Sequence, residues 1–168
     1  MNKLDKFRKD KDAFFATDPH SPLLPAQKKG FKGLNYFPEA PELRFELPVE
    51  RFKDEEIIQI QTSTGDIQQY VKYGKIRFPV EGQEAELTIY ADGEELFLPF
   101  VDSLAGKETY PAGRYLEPER MEDGRLRIDF NLAYNPYCAY NERWSCPLTP
   151  FENRLKAPVQ AGEKIFEH

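Results

Sequence analysis

Hydrophobic side chains recur at every second position through most of the chain beyond residue 42. Leu43, Phe45, Leu47 and Val49 alternate with polar neighbours, as do Ile58, Ile60 and Thr62. The same period runs through Ile76, Phe78 and Val80, through Ala85, Leu87, Ile89 and Ala91, and through Leu96, Leu98 and Phe100. Leu126, Ile128, Phe130 and Leu132 repeat it once more. A period of two places successive side chains on opposite faces of a strand, so each run predicts a half-buried β-strand. Turn-forming clusters separate the runs: Thr64-Gly65-Asp66, Glu81-Gly82-Gln83, Asp92-Gly93 and Asp123-Gly124. Asp-Gly between alternating runs signals a hairpin, because glycine readily takes the positive φ of a tight turn. A last short strand is expected within 159–166.

The first thirty residues follow a different period. Leu4, Phe7, Lys11, Phe14 and Phe15 fall at helical spacing, which predicts an amphipathic helix over 3–16. It ends before Asp18-Pro19, since the residue before a proline disfavours helical backbone. Ser21-Pro22 reads as an N-cap and first helical position, and a short helix over 22–29 stops at Gly30. Together these elements predict a mainly β, single-domain fold over 1–168. The expected architecture is an antiparallel sandwich or a curled, partly open barrel of about seven or eight strands. The helical segment 1–30 packs on the β domain, 42–168.

Composition sharpens this in three ways. An aromatic share of 14% favours pleated, half-buried surfaces. A net charge of −6 argues against nucleic acid as a partner, which would call for a basic excess. The basic run from Lys3 to Lys11 is offset by Asp5, Asp10 and Asp12 and reads as a solvated helix face. No apolar run approaches the ~20 residues of a membrane span, and the N-terminus carries no secretory h-region. A cytoplasmic location without a membrane partner is therefore expected, with both cysteines as thiols.

Two segments concentrate candidate chemistry. The first is the run 126–132 and the loop after it, NPYCAYNERWSCPLTPFENRL from Asn135 to Leu155. Alternation turns Arg127, Asp129 and Asn131 away from the hydrophobic face, toward either solvent or a pocket. Cys138 and Cys146 stand too far apart for a zinc knuckle, and only His20 and His168 could add imidazole. Both cysteines read as small buried hydrophobes, with Pro136 and Pro147 bracing the loop. Long restrained loops of this kind are functional or packed by their own side chains. The second segment is GKETYPAGRYL, from Gly106 to Leu116. Arg114 there either clamps a carboxylate or phosphate or pairs internally with Glu108, Asp129 or Glu163. Glu108 qualifies as a general base only if buried.

FKGLNYFPE, LPFVDSLAGKETYPAGRYL, IDFNLAYNPYCAYNERWSCPLTPFENRL and AGEK, in this order, resemble a bacterial and archaeal family: the domain-of-unknown-function family numbered sixteen eighty-four. The likeness spans nearly the whole chain. Leu104, Tyr137 and Thr149 depart from the pattern, which places a threonine at the first position and prolines at the other two. The resemblance implies no activity. It does imply that the two segments chosen on chemical grounds define the family.

The expectation is a protein that binds or processes a small anionic molecule in a pocket near Arg114, Asp129 and the 135–153 loop. Arg114 would hold the anion, with Asp129 or Glu108 orienting it or acting as base. Tyr115, Asn131, Tyr134, Asn135 and Asn153 would complete the site. Two alternatives are a non-catalytic structural or protein-interaction module and a metal-dependent hydrolase using His20, Cys138 or Asp129. Cofactor and oligomeric state are left open.

Overall fold

The structure, a computed structural model, describes residues 2–167. Helix α1 (Lys3–Thr17) is capped by Asn2, whose side chain accepts the Asp5 N–H. It stops at Asp18, held extended by Pro19. Helix α2 is a single turn (Pro25–Lys29), shorter than the expected 22–29 because Pro25 begins it rather than interrupting it.

Nine strands follow among the described residues: β1 (Arg44–Leu47), β2 (Glu50–Arg51), β3 (Ile57–Gln61), β4 (Ile67–Val80), β5 (Gln83–Asp92), β6 (Glu95–Phe100), β7 (Arg114–Leu116), β8 (Glu119–Arg120) and β9 (Leu126–Asp129). They form two antiparallel sheets that do not close into a barrel. One has the order β1-β9-β8; the other runs β2-β4-β5-β6-β7, with β3 also paired to β4. The β4–β5 hairpin turns at Glu81-Gly82, both at positive φ, which matches the twist of the strands it joins.

The alternating residues meet where expected. Ile76, Phe78, Leu87, Ile89, Leu98 and Phe100 from the larger sheet pack with Leu126, Ile128 and Phe130 from the smaller one. Phe78 and Phe130 stand 5.1 Å apart between ring centroids, and Phe45 lies 5.4 Å from Phe78. A separate cluster joins Phe15 of α1 to Leu23, Leu34 and Tyr140, which fastens the helical segment to the 135–147 loop.

Two expected strands change form. The run 126–132 is a strand only to Asp129. The Asp129 carboxylate accepts from the Asn131 N–H and side-chain amide, and the chain turns into a 3-10 helix at Phe130–Leu132. Asn131 therefore points inward, buried, and clamps both backbone groups of Ala40 instead of facing outward. The segment 159–166 forms no strand. Its alternate carbonyls, those of Val159, Ala161 and Glu163, all accept from one guanidinium, that of Arg114.

Candidate functional site

The residues singled out in the sequence divide between struts and a cleft wall. Arg114 is a strut. Its side chain is 1% exposed, and its donors go to the three carbonyls of the 159–163 segment. Asp102 lies 3.8 Å away, and the guanidinium sits over the Phe100 ring at 5.1 Å. Burial lowers its pKa to about 10 against the opposing pull of Asp102 and Glu163, so it remains a cation at neutral pH. With its donors directed at protein carbonyls and its side chain sealed, it offers no fork to an external anion. It forms no close ion pair with Glu108, Asp129 or the Glu163 carboxylate; the carboxylate beside it is that of Asp102.

Asn153 is a second strut. It is 0% exposed and fills the gap where β5 and β6 diverge. Its amide accepts the Thr88 N–H at 2.9 Å and donates to the carbonyls of Thr88 and Pro99 at 2.8 and 2.7 Å. A single side chain thus supplies hydrogen bonds that a neighbouring strand would otherwise make. Asn135 is a third, its side chain donating to the Lys164 carbonyl and its N–H to Glu163. The side-chain donors of these three residues and of Asn131 go mainly to the protein's own backbone carbonyls, while the buried Asn135 side-chain oxygen has no hydrogen-bond partner.

Asp129 and Glu108 occupy separate surfaces. Asp129 pairs with Arg44 at 3.1 Å and lines a 530 Å³ cleft beside Glu39 and the start of α1. Glu108, half-buried, lies 3.7 Å from Lys164 in another cleft. Arg114 and Asn135 line neither of these clefts, so Arg114, Asp129 and Asn135 do not converge. His20 stands exposed beside Asp18 and borders neither cleft, while His168 lies outside the described residues. Among the described residues, no cluster of three or more His, Cys, Asp or Glu is placed to hold a metal ion. Among the same residues, no helix is long and apolar enough to cross a membrane.

Tyr115, Tyr134, Pro136 and Cys146 do come together. They line a 740 Å³ cleft between α1 and the 135–147 loop, in which seven aromatic side chains converge: Phe7, Phe14, Phe15, Tyr115, Tyr134, Tyr137 and Trp144. The Tyr115 and Tyr134 rings meet edge to face at 5.9 Å, and Tyr137 and Trp144 do so at 5.1 Å. Burial pushes both the Tyr115 and Tyr134 phenols up, so each stays protonated and donates, to the Pro147 carbonyl and to Glu117 respectively. Trp144 is anchored through its indole N–H to the Pro22 carbonyl at 3.1 Å. Lys11 forms the cationic part of the wall, but its ammonium already contacts the buried Glu163 carboxylate. Asp10 and Glu117 stand on the same wall.

The contribution of α1 to this cleft is not legible in the sequence. Helical spacing puts Phe7, Lys11, Phe14 and Phe15 on one face, yet nothing local indicates that the 135–147 loop is what they meet. Phe7 remains 44% exposed at the cleft mouth, while Lys11 and Phe14 are half-buried and Phe15 is buried.

No curated protein matches the chain. An uncharacterized protein of Haloarcula marismortui, solved by solution NMR, is similar at 37% identity with a TM-score of 0.72, covering 96% of this chain and 92% of its own. The family model described as "Protein of unknown function (DUF1684)" matches residues 29–164. On that match, which takes in both signature segments, the chain belongs to the DUF1684 family of proteins of unknown function.

Proposed function

We propose that the protein binds a small, ring-bearing organic molecule in the aromatic cleft between α1 and the 135–147 loop. The observation that carries this reading is the convergence of seven aromatic side chains on a 740 Å³ concavity. Ligand sites are mostly apolar concavities of about this size, with a few polar groups that set orientation. Here the orienting groups are Lys11, Asp10 and Glu117. Lys11 is engaged with Glu163 and Asp10 with Lys6, so among the described residues Glu117, which accepts from the neutral Tyr134 hydroxyl, carries the unpaired charge at the wall, and a donor or cationic end suits it better than an anion. The anionic preference expected from Arg114 loses its basis, since that guanidinium is sealed within the protein.

Trp144 is the only tryptophan and lines the cleft, so its emission reports on that site alone. Titration with Nile red, a neutral planar probe, is expected to give saturable energy transfer from Trp144. Tyr137→Ala is expected to weaken it while leaving the β-sheet circular dichroism unchanged. Absence of saturable transfer in the parent protein would overturn the reading.

A further inference from the structure

Cys138 and Cys146 are the only cysteines, and the fold brings them together across the loop. Cys138 lies in the 3-10 turn Tyr137–Ala139, partly exposed. Its backbone N–H donates to the Cys146 sulfur at 3.3 Å. The Tyr110 hydroxyl stands 3.7 Å from the Cys138 sulfur. Cys146 is fixed from the other side, its N–H donating to the Ser63 hydroxyl at 3.1 Å and its carbonyl accepting the Ser63 N–H. Its side chain reaches the wall of the aromatic cleft. Structural cysteines sit buried among hydrocarbon; here two sulfurs share a polar setting, and one of them belongs to a residue that is only partly buried.

That setting makes the two thiols unequal. Hydrogen bonding from the Cys146 thiol, reinforced by Tyr110 and Ser63, brings the Cys138 thiol down to about 6 against the effect of burial. The Cys138 thiolate in turn pushes Cys146 up, with burial adding to it. At neutral pH one sulfur is then a nucleophile and the other retains its proton. A reactive thiolate beside a resolving thiol is the arrangement on which stepwise two-electron oxidation depends.

We propose that Cys138 and Cys146 form a hydroperoxide-reactive thiol pair, with Cys138 as the attacking sulfur and Cys146 as the resolving one. The Cys138 thiolate attacks an oxygen of the hydroperoxide. An S–O bond forms, the O–O bond breaks, and the departing hydroxide or alkoxide takes a proton from water. Cys138 is now a sulfenic acid, oxidised by two electrons. The Cys146 sulfur then attacks the Cys138 sulfur, the S–O bond breaks, and the hydroxyl leaves with the Cys146 proton as water. A soluble dithiol returns the resulting disulfide to two thiols and is itself oxidised. None of these steps requires a ligand in the aromatic cleft.

The test uses the full chain and equimolar hydrogen peroxide at pH 7, with intact mass and peptide mapping under non-reducing conditions. The parent protein is expected to lose two hydrogens, to show one intrachain Cys138–Cys146 bond, and to recover fully with dithiothreitol. Cys146→Ser is expected to stop at a sulfenic acid on Cys138 that dimedone traps. Cys138→Ser is expected to remain unoxidised at Cys146. A second measurement needs no variant. At pH 6.5 a thiol near pKa 6 is mostly thiolate, whereas an unperturbed one near 8.5 is about 1% so; after allowing for the lower nucleophilicity, iodoacetamide should label Cys138 in the native chain roughly four- to eightfold faster than in the urea-unfolded chain. Peroxide that leaves both thiols intact, oxidation at equal rates in Cys138→Ser and parent, or native labelling no faster than unfolded labelling would each overturn the proposal.

Discussion

Replacing Arg114 with alanine separates a ligand-holding arginine from a structural one. In the folded protein its guanidinium satisfies the carbonyls of Val159, Ala161 and Glu163 and stands 3.8 Å from Asp102. Removal leaves three sequestered acceptors without a donor, each costing about 1–3 kcal/mol. It also leaves Asp102 buried without its neighbouring cation, although Thr109 and the Val159 N–H still donate to that carboxylate. Breaking a buried charged arrangement typically costs 3–5 kcal/mol, so Arg114→Ala is expected to be about 4 kcal/mol less stable. For a chain of this length that corresponds to a fall in Tm of roughly 8–16 °C. Arg114→Lys keeps the charge but replaces a planar fork with one compact ammonium, and should lose about half as much. Urea denaturation followed by circular dichroism provides the measurement, with the midpoint moving and the slope unchanged. Nile red titration at a temperature where both proteins are folded provides the contrast. An Arg114→Ala protein within about 1 kcal/mol of the parent, the size of an ordinary substitution, would refute the strut argument.

Other outcomes follow from the same geometry. Asn153→Ala removes three buried hydrogen bonds from its side chain to β5 and β6 and is expected to cost about 3 kcal/mol by urea denaturation, at a net value near 1 kcal/mol per bond. Gly162→Ala forces a side chain onto a residue at φ 79°, with its Cβ 2.7 Å from the Ala133 carbonyl oxygen, and should lower the melting temperature more than Gly65→Ala, where positive φ is the only obstacle. For Cys138 the folded pKa lies below the unfolded one, so its ionisation favours the folded state above the unfolded pKa near 8.5, and that contribution is lost as pH falls through about 6. The stability difference between parent and Cys138→Ser should therefore grow from pH 6 to pH 8.5 in a series of thermal melts.

Side-chain alternation could be read wherever a strand presents one face to the other sheet. Leu87, Ile89, Leu126 and Ile128 fall in the core as their spacing required, because a period of two has one physical cause in a half-buried sheet. Strands β2, β7 and β8 leave no trace in the sequence pattern because two or three residues carry no period. The segment 159–166 alternates like a strand, but what satisfies its carbonyls is a side chain 45–49 residues earlier, a pairing that no local pattern encodes. Arg114 and Asn153 drew attention as polar residues in signature segments. Charge and hydrogen-bonding capacity look the same in a sequence whether they serve a ligand or the backbone; only burial distinguishes them. For the cysteines, spacing was informative about zinc and silent about Tyr110 and Ser63, which come from distant parts of the chain.

The linkage of Lys11 to Glu163 spans 152 residues, and Arg114 depends on the same terminal segment. Closing so long a loop carries a large entropic cost before its contacts repay it. During synthesis the two sheets can associate as soon as β9 has emerged. The guanidinium of Arg114 then waits, still hydrated, until residues 159–163 arrive, about thirty residues later, a matter of roughly 2–7 seconds at ordinary rates of elongation. α1 is made before the strands, yet the Glu163 that anchors its Lys11 is available only then. The sheets are therefore expected to form before α1 is fixed. The helix and the 159–163 segment would then lock together in one step, in which the aromatic cleft is assembled.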